Sequence, residues 1–83
     1  MFDRKVIEIM AKYSLVKVDG NAFLIMGYTS KALKLEGLAN LINEMREKAT
    51  SGDYNNLLRV CMEYVDKANE AAYENGYVDK EEW

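Results

Sequence analysis

Not one proline interrupts this 83-residue chain, and its strongest breaker signals fall at a few defined places. Asp19-Gly20-Asn21 precedes a long apolar run, Gly37 follows it, and Thr50-Ser51-Gly52-Asp53 separates two further runs. Residues of these types, in this order, start, stop and restart helices. The punctuation therefore predicts an all-α fold, a compact bundle of three to four helices at about 3–13, 21–36, 38–50 and 54–75. None of it points to a reaction.

The first element is the least determined. Phe2, Val6, Ile9, Met10 and Tyr13 fit a helical stripe, whereas Val6-Ile7-Glu8-Ile9 alone fits a strand. The stripe favours a helix. Ser14-Leu15-Val16-Lys17-Val18 is rich in β-branched residues and too short for a helix, so an extended segment is expected at 14–18.

Over 21–36 two apolar stripes run together. At about 100° per residue, Ala22, Ile25, Met26, Thr29 and Leu33 share one face, while Leu24, Tyr28 and Leu35 lie nearly opposite. A helix that is apolar on two sides is either central in its domain or shared with another molecule. Over 38–50 a single stripe of Leu38, Leu41, Ile42, Met45 and Ala49 is expected inside, with Glu44 and Lys48 paired outside. The last helix carries Tyr54, Leu57, Leu58, Cys61, Val65, Ala68 and Ala72 along its core line, widened by Val60, Tyr64 and Ala71. Asp53 is placed to cap it, and Asn75-Gly76 to end it. Residues 77–83 are expected to form a loose tail of a single domain spanning 1–83.

A chain of this length buries only about 60 to 65 per cent of its unfolded surface, so a large internal cavity is not expected. Hydrophobic residues make up 49% and charged residues 30%, a globular balance. No apolar run approaches the roughly 20 residues that span a bilayer. The single cysteine, Cys61, has no internal disulfide partner, which favours a reducing, cytoplasmic setting.

Charge is unevenly divided. The net charge is -3, yet residues 1–35 carry Arg4, Lys5, Lys12, Lys17, Lys31 and Lys34 against Asp3, Glu8 and Asp19, a balance of +3. Residues 36–83 hold five basic and eleven acidic side chains, a balance of -6. Solvated helix faces account for such a pattern, and so do opposite poles that steer two molecules together.

The chain contains no histidine. That removes the usual general base near neutral pH, the Ser-His and Cys-His nucleophile systems, and the commonest zinc ligand. One cysteine is too few for a structural zinc site, and no metal or cofactor is expected. Glu44 with Glu47, and Glu63 with Asp66 and Glu70, are the carboxylate groups available for acid–base work, but their faces point to water. Cys61 lies within an apolar line, where a thiol is an inert small hydrophobe. Asp19-Gly20-Asn21 and Asp53-Tyr54-Asn55-Asn56 open like calcium loops without the later glycine and glutamate, and read as caps. There is no GxGxxG and no P-loop. Met26-Gly27-Tyr28 is similar to the short loop of ubiquitin-associated domains but sits inside a continuous helical pattern. Helix-turn-helix binding across Gly37 or Gly52 would set Glu44, Glu47, Glu63 and Asp66 against phosphates.

From about Val18 to Asp66 the chain resembles a family of small bacterial and phage proteins with no assigned activity. The matching residues are Asp19-Gly20-Asn21-Ala22-Phe23 with Gly27, Ala32 and Gly37, then Ala49-Thr50-Ser51-Gly52-Asp53-Tyr54 with Leu57-Leu58. Members often carry histidine just before the paired leucines, where this chain has Asn56, and they commonly end soon after the last shared helix, where this chain continues for some seventeen residues. The resemblance implies a bacterial or prophage origin and a compact helical fold. Most of the shared residues look structural, with Gly27 permitting a close helix contact and Asn21, Asp53 and Tyr54 available as a polar cluster.

The expected function is a non-enzymatic helical protein that acts by protein contact, most simply with a second copy of itself. The candidate surface is Leu24, Tyr28, Leu35, Val60 and Tyr64, more apolar area than one small core requires. The alternative is an accessory protein binding nucleic acid through Arg4, Lys5, Lys12, Lys17, Lys31 and Lys34.

Overall fold

The computed structural model describes residues 12–76, the side chain of Lys17 excepted. The helix expected from residue 3 onward, the cations Arg4 and Lys5, and the tail at 77–83 lie outside the described residues. The described residues are all-helical: α1 spans Ala22–Leu35, α2 spans Ile42–Ala49 and α3 spans Tyr54–Glu74, with no strand among them.

Each boundary has a local cause. Asn21 accepts from the Phe23 amide at 2.8 Å, satisfying one of the unpaired donors at the start of α1. At the other end Gly37 takes φ 78°, Leu38 N donates to Leu33 O at 2.8 Å and Gly37 N to Lys34 O at 3.2 Å. These two bonds form a Schellman turn, in which the chain reverses through a left-handed residue and the last carbonyls find donors. Thr50 and Ser51 hydroxyls close α2 on Arg46 O and Lys48 O at 2.7 and 2.8 Å. Asp53 then caps α3 by accepting from the Asn56 amide at 2.9 Å. Asn56 donates its side-chain amide back to Lys48 O at 2.9 Å and so joins the end of α2 to the start of α3.

The core lies where α3 meets both other helices. Ile25, Met26, Ala32 and Leu33 of α1, Met45 and Ala49 of α2, and Leu57, Cys61, Val65, Ala68 and Ala72 of α3 are buried. Burying each large apolar side chain contributes about 1.5 to 3 kcal/mol, so this cluster is the main source of stability. Thr29 is buried among them because its hydroxyl donates to Ile25 O at 2.8 Å, which satisfies that side chain's polar group. No helix among the described residues is long and apolar enough to cross a membrane.

Four expectations are corrected. Lys12 and Tyr13 are not helical. Leu15–Lys17 is a 3-10 turn with extended residues only at Ser14 and Val18, because the Ser14 hydroxyl accepts from the Val16 amide at 3.2 Å and turns the chain. The segment at 38–41 is also a 3-10 turn, Ala39–Leu41, before α2 begins. Gly27 makes no close helix contact: it is exposed, and a Cβ there would meet nothing within 4 Å.

Candidate functional site

Glu36 is the one charged side chain buried among the described residues, and it ends α1 as its C-cap. An acid there faces the negative end of the helix dipole and needs compensation. Lys12 supplies it with an ion pair at 2.7 Å, the Tyr13 hydroxyl donates to the same oxygen, and Asn75 Nδ2 lies 3.4 Å from the other. The Lys12 and Tyr13 hydrogen bonds hold the Glu36 carboxyl below the usual carboxylate range against the opposing effect of burial. It is therefore an anion with its donors already engaged, and a poor proton acceptor.

Residues 12–14 form a strap fixed at four points by this arrangement. Tyr13 donates its backbone N–H to Asn69 Oδ1 at 2.8 Å and its carbonyl accepts from Asn69 Nδ2 at 2.9 Å, a two-way clamp onto the C-terminal part of α3. The Ser14 amide donates to the Tyr28 hydroxyl at 3.0 Å, and the Tyr13 and Tyr28 rings meet edge to face at 6.4 Å. Burial pushes the Tyr13 phenol up, with the Glu36 hydrogen bond acting the same way, so the strap holds a neutral phenol against a carboxylate. A second phenol–carboxylate pair joins Tyr64 to Glu44 at 2.5 Å across α3 and α2.

The proposed apolar surface separates. Val60 and Tyr64 are buried, because α3 packs between two neighbours and needs a wider inward arc than one stripe. Tyr28 is half-buried under the strap. Leu24 and Leu35 remain 52% and 62% exposed, and Phe23 joins them at 80%. With Gly27, Lys31 and Lys34, also exposed, they occupy an arc of about 120° on the outer side of α1. Beside it runs an open groove lined by Ser30, Lys31, Lys34, Leu35 and Ile42.

The basic residues separate as well. Lys12 is engaged by Glu36, while Lys31 and Lys34 stand exposed on α1. Asn21, Asp53 and Tyr54 form no shared polar site: two are caps, and the Tyr54 hydroxyl donates to Gly20 O, tying α3 to the turn before α1. Burial raises the Cys61 thiol above its ordinary value, keeping it protonated. Among the described residues no three His, Cys, Asp or Glu side chains are placed to hold a metal ion.

Comparison with protein-family models, with curated proteins and with solved structures finds no match to this chain.

Proposed function

We propose that this chain is a small non-enzymatic contact protein and that the outer side of α1 is its docking surface for an acidic amphipathic helix of a second molecule. The observation that carries the reading is the composition of that side. Phe23, Leu24 and Leu35 expose apolar area in line with Lys31 and Lys34, and α1 contains no acidic residue from Ala22 to Leu35. An apolar stripe bordered by one sign of charge suits a helix that carries leucines on one face and carboxylates beside them. Gly27 lies exposed near the centre of this side and lets a partner backbone come close.

A cytoplasmic setting belongs to the same proposal, supported by the absence of any second cysteine. A bacterial or prophage origin rests on the DGNAF and TSGDY residues alone. Nucleic-acid binding is the weaker reading, since the Lys12 charge is already balanced by Glu36 and Lys31 and Lys34 alone stand exposed on α1.

The test uses a model amphipathic peptide with leucine on one face and glutamate flanking it, titrated into the isotope-labelled chain. The expected result is amide shifts confined to Phe23 through Leu35, absent when the glutamates are replaced by lysines. No binding of the acidic peptide, or shifts centred elsewhere, overturns the proposal.

A further inference from the structure

The docking surface on α1 has a complement on the same molecule. On the outer side of α3, Glu63, Glu70 and Glu74 are all exposed, and at about 100° per residue they fall within some 40° of one another. Met62 and Tyr73, 52% and 45% exposed, flank that acidic line on one edge. Arg59 is drawn to Glu63 at 3.3 Å, and Lys67, also exposed, borders the line one turn before Glu70, so this side carries a net acidic balance that is strongest toward Glu74. The two outer sides thus have matching design and opposite sign: apolar and basic on α1, apolar and acidic on α3.

We propose that the occupant of the α1 surface is a second copy of this chain, which presents the outer side of its α3; the proposal rests on the reading of α1 as a docking surface. Charge decides the pairing. Two α1 surfaces face to face would set Lys31 and Lys34 against their own copies, and two α3 surfaces would do the same with Glu70 and Glu74. Only the unlike pairing brings opposite charges together while covering Phe23, Leu24 and Leu35 on one side and Met62 on the other. Such a contact is either made twice about a two-fold axis, closing a symmetric pair, or made once, in which case the pair keeps one free surface of each kind and association continues to a ring or an open chain. Two single helix faces give an interface at the small end of the range for specific complexes, so assembly depends on concentration and weakens with salt.

Light scattering with paired charge reversals tests this. One variant carries Lys31→Glu with Lys34→Glu, the other Glu70→Lys with Glu74→Lys, and circular dichroism confirms that both are folded. The wild type is expected to gain mass with concentration and lose it in high salt. Each variant alone is expected to stay monomeric, because its two surfaces now carry the same sign. Their equimolar mixture is expected to recover association, because the reversed α1 of one variant meets the reversed α3 of the other, and unreversed α3 meets unreversed α1, each pair with opposite charge. Wild-type-like association by the α3 variant alone overturns the proposal in favour of like-with-like α1 contact, and a mixture that stays monomeric also overturns it. A wild type that is monomeric at every concentration while the acidic model peptide still binds α1 removes the second copy and leaves the docking surface. Failure of both removes the reading on which this rests.

Discussion

Glu36 is where single residues matter most. Its carboxylate replaces lost hydration with Lys12, Tyr13 and Asn75, and a hydrogen bond to a charged group contributes about 1.5 to 3 kcal/mol. Glu36→Gln keeps the volume and removes the charge, and is expected to cost about that much in denaturant unfolding. The pH dependence follows from the sign of the shift. A carboxyl held below its ordinary value adds stability that is complete above the unfolded range and is lost as pH falls through the folded value. The difference in stability between wild type and Glu36→Gln should therefore be largest near neutrality and shrink on acidification below about pH 4.5. Tyr13 and Lys12 are shifted upward, so their contribution is present at neutral pH and fades on the alkaline side, as pH rises through their raised values. A difference that grows in acid would contradict this assignment. Ser30 is the opposite case: its hydroxyl oxygen is buried with no hydrogen-bond partner. Ser30→Ala removes that unpaired group and improves helix propensity, so unfolding should show a gain of about 0.5 to 1 kcal/mol. Nothing in the sequence marked Glu36 as buried, since its partners lie 23 to 39 residues away. The one available signal was an acid at a helix C-terminus, where the dipole disfavours it.

At the scale of elements, the helices were legible because their boundaries are written locally. Asn21, Gly37 and Asp53 act on amides and carbonyls within a few residues, and the caps stand where the pattern put them. Inward faces at Ile25, Met26 and Leu33 and at Met45 and Ala49 were legible for the same reason, as one period repeated. Val60 and Tyr64, which widen the core line of α3, were counted as surplus apolar area because one neighbour does not cover so wide an arc, and α3 has two. The turn at Leu15–Lys17 was misread because β-branching outweighed the Ser14 cap. Two glycines separate backbone conformation from packing. A Cβ at either Gly37 or Gly27 meets no atom within 4 Å, yet Gly37 sits at φ 78° and Gly27 lies inside α1. Gly37→Ala should destabilise by about 1 to 2 kcal/mol and Gly27→Ala should stabilise by about 0.5 to 1 kcal/mol, read from urea midpoints. Equal effects of the same sign would show that backbone conformation is not what distinguishes them.

For the whole molecule, the division of charge along the chain becomes a division in space. The acid-free α1 and the glutamate-bearing outer side of α3 share one core, with the strap at 12–14 clamped across their inner contact by Asn69 and Glu36. The strongest polar network thereby holds the bundle together, and Phe23, Leu24 and Leu35 leave apolar area outside on α1, beside its lysines. The central claim is that this outer side of α1 meets another molecule. Backbone amide spectra of the wild-type chain, followed from dilute to concentrated solution and then in high salt, test it most directly. The account predicts shifts at the outer positions of α1 from Phe23 to Leu35 and along Met62 to Glu74, reversed by salt, with the amides of Tyr13 and Ser14 unchanged. Spectra in which α1 stays fixed at every concentration, or in which the changes gather on the strap, would contradict it.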